Sequence, residues 1–230
     1  MGPVRKENPS QTVLAVEPNV LMADAARLTG EGRLSEAMEC LRSLVSRRPD
    51  DVPALQELAA LCLRAGCVDE AIRHADAVLA MRPRSMAARE LLVPALIQRG
   101  ESQRARRVLE DLISMAPAHA EHRYRLARIF EQEGDLGAAS RAMHRALECE
   151  PSEELAAEIR VSIGLLDTLQ LRQILERVIE ERVFLVAMRQ CPRTAVEARG
   201  YHLSAFGRVI LDEAARSLRA TVPGGAIRVH

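Results

Sequence analysis

Tryptophan is absent from the 230 residues, aromatics make up 2% of them, and Lys6 is the single lysine. Without aromatic platforms, stacking on single-stranded bases or on sugar rings is not expected. The basic residues are therefore almost all arginine. Lys+Arg and Asp+Glu both number 32, for a formal net charge of zero. That balance disfavours a strongly basic nucleic-acid binder and a polybasic membrane-surface protein. Long apolar runs are missing too: Val183–Met188 reaches about a third of a membrane span. Val13–Val16 is too short for a signal-peptide core, and Pro3, Pro9 and Pro18 punctuate its surroundings. Five cysteines (Cys40, Cys62, Cys67, Cys149, Cys191) are an odd number at irregular spacings, a poor disulfide framework. A soluble, reducing, cytoplasmic setting is the expectation.

Catalytic signatures are equally scarce. There is no Gly-rich phosphate loop, no Gly-x-Ser-x-Gly elbow and no His-Glu-x-x-His. Cys62, Cys67 and His74 lack zinc-site spacing and a fourth ligand, so Cys62 reads as a core thiol. His119, His122 and His144 read as surface histidines. The carboxylate pairs Asp50-Asp51, Glu153-Glu154 and Glu180-Glu181 fall at helix starts or on solvated faces. No enzyme, cofactor or metal is expected.

What the chain does have is a repeat. Prolines stand at Pro49, Pro83, Pro117 and Pro151, each 34 residues from the last. Gly32, Gly66, Gly100 and Gly134 keep the same interval, and so do Ala37, Ala71, Ala105 and Ala139. Three ladders in one phase specify a repeated unit. Each glycine closes one helical stretch with a left-handed turn, and each proline stops the next. Helices of about a dozen residues are too short to stand alone and must pack. Ala25, Ala59, Val93 and Ala127 on the first helices are placed against the alanine ladder on the second. Small against small permits a close crossing, and leucines such as Leu58, Leu92, Leu109 and Leu126 fill the space around it.

The period, the Leu58-Ala59 and Leu126-Ala127 pairs, the Gly-x-x-x-x-Ala step and the closing proline resemble the tetratricopeptide repeat family. The match covers about residues 18–153, with Asp24-Ala25 and Leu92-Val93 as mild departures. The resemblance implies an all-α, right-handed superhelix of antiparallel hairpins, with repeats at about 18–51, 52–85, 86–119 and 120–153. A flexible segment 1–17 would precede them, and a capping helix with a helical extension (152–220) and a flexible tail (221–230) would follow.

It also implies a non-catalytic adaptor whose first helices line a concave groove for a partner protein's peptide or amphipathic helix. Mapped onto this chain, the groove is Met22, Ala26, Gln56, Ala60, Leu63, Glu90, Pro94, Ile97, Tyr124, Arg125 and Arg128. The Lys/Asn/Arg clamp by which some relatives hold a terminal carboxylate is not expected, because repeats one to three carry small or apolar residues there. Such a channel suits an apolar or amphipathic segment, with Arg125 and Arg128 reaching an acidic flank. Small side chains can equally reflect helix packing alone, whereas Tyr124 with Arg128 has no evident packing reason. Pro94, inside a helix, is expected either to kink it or to be tolerated because the helix is short.

Beyond Pro151 the period fails. Leu155–Leu166 reads as a capping helix, about Thr168 to Gln190 as a second, Pro192–Arg199 as a short turn, and Ser204 to Arg219 as a last helix. Leu171, Ile174, Leu175, Val178, Ile179, Leu185 and Val186 form one apolar stripe. The extension is thus a subdomain folded on the repeats, or a homodimer module through 168–190. A DNA-binding helix-turn-helix in Pro192–Arg219 is disfavoured by the long Gly200–Ser204 spacing, although Arg193, Arg199, Arg208, Arg216 and Arg219 make it basic.

Overall fold

The computed structural model describes residues 18–220, and among them every regular element is a helix. The segments 1–17 and 221–230 lie outside the described residues. Eight helices follow in pairs: α1 (Pro18–Gly30) and α2 (Leu34–Arg47), α3 (Val52–Arg64) and α4 (Val68–Met81), α5 (Met86–Gln98) and α6 (Ser102–Met115), α7 (Ala120–Gln132) and α8 (Leu136–Leu147). The all-α repeat architecture expected from the ladders is the one the chain adopts.

Each pair turns at a ladder glycine, where φ lies between +76° and +80°. The next residue's N–H then reaches back five positions: Arg33 to the Leu28 carbonyl (2.9 Å), Cys67 to Cys62 (2.8 Å), Glu101 to Leu96 (2.8 Å) and Asp135 to Phe130 (2.9 Å). This bond satisfies a carbonyl that the helix end would leave bare. Between pairs, Pro49, Pro83 and Pro117 sit second in a four-residue turn. The closing bonds run from Asp51 N to Arg48 O (3.1 Å), Ser85 N to Arg82 O (2.9 Å) and His119 N to Ala116 O (3.1 Å). Proline's fixed φ suits that place. Asp51 and Ser85 then cap the next helix, accepting from Ala54 N at 3.1 Å and Ala88 N at 3.3 Å. The Pro151 junction differs: beyond the end of α8, Glu150 has φ 51°, a left-handed conformation that costs a non-glycine residue about 1–2 kcal/mol.

The chain divides into two compact units, one ending at Val108 and the next beginning at Leu109, inside α6. In the N-terminal unit α1 packs on α2, α2 on α3, α3 on α4, and α5 on both α3 and α4. Ala25, Ala37, Ala59, Ala71, Val93 and Ala105 are all buried, as the close crossings require. Outside that core, Arg42 of α2 holds Glu70 of α4 at 2.8 and 2.7 Å, and Arg104 of α6 holds Asp76 of α4 at 2.6 and 2.7 Å. Such partly exposed pairs contribute at most about 1 kcal/mol each.

In the C-terminal unit α7 packs on α8, and α8 on α9 (Glu153–Glu180), a helix of 28 residues. The two helices expected over 155–190 are therefore divided elsewhere. No proline falls between Leu166 and Thr168, and Asp167 and Gln170 are buried there with bonded side chains, so the helix runs through. It breaks instead at Glu181, in extended conformation, and α10 (Arg182–Gln190) begins. The break turns Phe184 and Met188 into a core with Ile174, Val178, Tyr201, Leu203 and Leu211. A short α11 (Pro192–Glu197) and α12 (Ala205–Ala220) complete the unit. The expected single stripe is split by this geometry. Ile174 and Val178 are buried, Leu171 and Leu185 partly so, while Leu175, Ile179 and Val186 face solvent. In the first unit α5 passes through Pro94 without interruption; Pro94 stands on the half-exposed side. Its ring nitrogen has no N–H to close the helical turn, yet the helix continues to Gln98.

Candidate functional site

On the first helices of the N-terminal unit, burial separates two faces. Leu21, Ala25, Leu28, Leu55, Leu58, Ala59, Leu92, Val93 and Leu96 are buried. Met22, Gln56, Ala60, Leu63, Pro94 and Ile97 are half-buried, and Ala26 and Glu90 exposed. These eight residues are apolar or small except for Gln56 and Glu90. Gln56 is tied down, its Nε2 donating to Ser85 Oγ at 3.2 Å and so linking α3 to the cap of α5. α3 and α5 pack against one another, and Ala60 and Leu63 on the first and Pro94 and Ile97 on the second are each half-buried. Two neighbouring helices thus offer a shallow apolar strip with few unmet hydrogen-bonding groups. A partner's apolar side chains could bury against it without stranding a polar atom.

The charged end lies in the other unit and is built differently from expectation. Tyr124 packs partly buried against Ala127, Ala139, Met143 and Ile159, and its hydroxyl donates to Glu158 of α9. Burial first, then the Glu158 carboxylate, push the phenol above its usual range. Tyr124 therefore has the packing reason that the sequence did not reveal: it joins α7 to α9. Arg125 is paired with Glu121 at 3.0 Å and Arg128 with Glu131 at 2.7 Å, both along α7. These exposed pairs compete with any acidic flank for the two guanidinium groups.

Sequence reasoning missed the clasp that fixes the C-terminal extension. Gln170, fully buried, holds both backbone groups of His202: its Oε1 accepts from His202 N at 2.8 Å and its Nε2 donates to His202 O at 3.0 Å. Asp167, 3% exposed, accepts from Ser204 N at 2.9 Å and from the Ser204 hydroxyl. Ser204 Oγ in turn caps α12 by accepting from Gly207 N at 3.1 Å. Gly137 and Gly207 make the approach possible. A Cβ on Gly137 would fall 1.9 Å from the Gly200 carbonyl oxygen, and one on Gly207 would fall 2.7 Å from the Asp167 carboxyl. Two polar residues inside an apolar helical stretch were the signal available in the sequence. His202, packed edge-on to His144 with ring centroids 5.2 Å apart, has its pKa lowered by burial first, then by His144, Arg141 and Arg208, with Glu197 opposing.

Cys62 is buried, which pushes its thiol to about 12, and all five cysteines are free. No group of three or more His, Cys, Asp or Glu among the described residues is arranged to hold a metal ion. No helix among them is long and apolar enough to cross a membrane. A cavity of about 480 Å³ opens where α10, α11 and the last turns of α12 meet, with Gln190, Arg193, Thr194, Asp212, Arg216 and Arg219 in its wall.

Comparison with known proteins places this geometry. One tetratricopeptide repeat model matches residues 28–92 and another matches 90–154, together more than half of the chain. No curated protein matches the sequence. Among solved structures, "Crystal structure of MamA protein" is 20% identical with a TM-score of 0.60, over 65% of this chain and 80% of that one. "MamA 41-end from Desulfovibrio magneticus RS-1" is 18% identical with a TM-score of 0.59, over 90% of this chain and 97% of that one. At such identity the likeness is one of fold.

Proposed function

The chain belongs to the tetratricopeptide repeat family, and from that premise we propose that it is a non-catalytic adaptor. Family and fold support a protein-interaction scaffold. The finer reading is that a partner's apolar peptide or amphipathic helix lies along the first helices. The observation that carries it is the half-exposed apolar strip of Ala60, Leu63, Pro94 and Ile97 on α3 and α5, beside helix faces that are fully buried. Met22 and Ala26 belong to the same surface in this reading. Five free thiols and the lack of a long apolar helix among the described residues fit a cytoplasmic setting.

A photo-crosslinking side chain placed at Ala60 tests the reading in living cells. A discrete adduct is expected, lost on Ile97→Glu and absent when the crosslinker stands at exposed Arg73 on α4. Equal adducts from positions 60 and 73 would remove the groove.

One observation favours a second reading, self-association through 168–190. Leu175, Ile179, Val183 and Val186 are 50%, 84%, 80% and 43% exposed, an apolar edge continuing across the α9–α10 break. Light scattering on the full chain would then report a dimer that Ile179→Glu dissociates, whereas a monomer at every concentration would dismiss it.

A further inference from the structure

We propose that the cavity where α10, α11 and α12 meet is a carboxylate-binding site that takes the acidic side chains of a protein partner, separate from the repeat surface. Arg193, Arg216 and Arg219 wall about 480 Å³ together with one carboxylate, Asp212. Arg193 is committed to Asp212, its Nε and Nη2 reaching the two carboxylate oxygens at 3.4 and 2.5 Å. The other two have no carboxylate within ion-pair distance, although Asp212 attracts both at longer range. Arg219 donates to the carbonyls of Arg189 (2.6 Å) and Gln190 (3.4 Å), and Arg216 donates through Nε to the carbonyl of Asp212 (3.3 Å). A carbonyl orients a guanidinium without cancelling its charge. Among the described residues neither Arg216 nor Arg219 forms an ion pair, and both terminal nitrogens of Arg216 are without a partner.

This wall selects its ligand by charge and shape. An oriented guanidinium presents parallel N–H groups that match the two oxygens of a carboxylate. The Thr194 hydroxyl and the Gln190 amide add neutral hydrogen-bonding groups at the rim. Asp212 keeps a negative charge in the same wall, which penalises a phosphate dianion more than a singly charged carboxylate. A nucleic-acid strand is disfavoured for a different reason. It needs positive charge spread along several phosphates, and here the free charge is confined to one concavity. A short run of Glu or Asp, delivering two carboxylates to two arginines without an ion pair, is the ligand that fits.

The test uses the full chain and fluorescently labelled tetraglutamate, followed by anisotropy at low salt. Saturable binding is expected. Arg216→Gln should weaken it roughly tenfold, the loss of one charge-assisted contact. Arg216 makes one hydrogen bond, to a carbonyl on its own helix, and its attraction to Asp212 is secondary to that of Arg193, so the thermal unfolding midpoint should hold. Arg208→Gln, an exposed arginine of α12 outside the cavity, should leave the affinity unchanged. The proposal is overturned if no saturation is reached, or if both variants weaken binding equally. Displacement by inorganic phosphate at lower concentration than by free tetraglutamate would reassign the site to phosphate. Tighter binding of single-stranded oligothymidylate that also depends on Arg216 would reassign it to nucleic acid.

Discussion

The two units of this chain solve the problem of helix packing in opposite ways. In the N-terminal unit every junction repeats one device, a left-handed glycine or a proline turn, and the core is closed by alanine against alanine. Among its described residues Val20 and Met81 are the large apolar side chains left exposed. The C-terminal unit keeps the device for one hairpin, at Pro117 and Gly134, and beyond Pro151 replaces it with unique contacts, a glutamine gripping a backbone and two glycines that admit a carbonyl and a carboxyl. It leaves Val161, Leu165, Ile179, Val183, Phe206 and Val209 more than half exposed. A repeated solution is robust because each interface copies the next. A unique one concentrates stability in a few positions.

That concentration is the first thing to break. Gly137→Val would place a branched side chain where a single Cβ already meets the Gly200 carbonyl oxygen, a backbone atom that cannot rotate away. The expected loss is about 3 kcal/mol or more by urea unfolding, with hydrogen exchange accelerated over 137–204. A neutral result would mean that the Gly200 loop is not seated on α8. In the N-terminal unit Ala71→Leu forces extra methylenes into a close crossing and should cost about 1–3 kcal/mol. Its exchange signature should stay within the first two hairpins. If instead both variants loosen the same amides, the division into two cooperative units fails.

Acid probes the units more gently. The pKa of His202 is lowered from its ordinary 6.5 by burial, by His144 and by Arg141 and Arg208, so the native state favours the neutral ring. The stability it contributes is complete above pH 6.5 and is lost as pH falls below that value, because the unfolded chain binds the proton more readily. In the N-terminal unit Glu70 is held down to about 2, chiefly by its hydrogen bond to Arg42. That contribution is present above the ordinary carboxylate value of 4.5 and is lost only as pH falls from there toward 2. The pKa of His74 on α4 is lowered likewise by burial, with Glu70 opposing. Hydrogen exchange at pH 5.5 should therefore show protection falling both around 200–211 and around α4, and His202→Asn should flatten the first change alone. A loss around 200–211 that persists unchanged in His202→Asn would refute the assignment.

The same contrast explains what the sequence could disclose. A repeat announces itself because Gly, Pro and Ala return in one phase, and their physical roles follow from residue type alone. The ladder has no rung at Thr168, where the next glycine would stand, and from that point α9 continues instead of turning. Nothing in the period could say that Asp167 and Gln170 are buried, because their partners, Ser204 and His202, lie more than 30 residues away with no repeated spacing. Tyr124 was misjudged for the same reason. Its partner Glu158 is one repeat length further on, on a helix whose sequence no longer keeps the pattern. The electrostatics around Arg125 and Arg128 were not legible, since Glu121 and Glu131 could equally have faced solvent.

The smallest effect is the sharpest discriminator, and it comes from comparing two glycines. Gly66 has φ +76° and open space where a Cβ would go, so its constraint is conformational. Gly137 needs no left-handed backbone, and its constraint is the atom already occupying the Cβ position. Gly66→Ala should cost about 1 kcal/mol, and Gly66→Asn less, because asparagine tolerates the left-handed region better than alanine. At Gly137 the order must reverse, with asparagine worse than alanine, since every added atom deepens the collision. Urea midpoints of the four variants measure this directly. An alanine-asparagine order that is the same at both positions would mean that turn geometry and close packing are not the two separate constraints that distinguish the repeats from the extension.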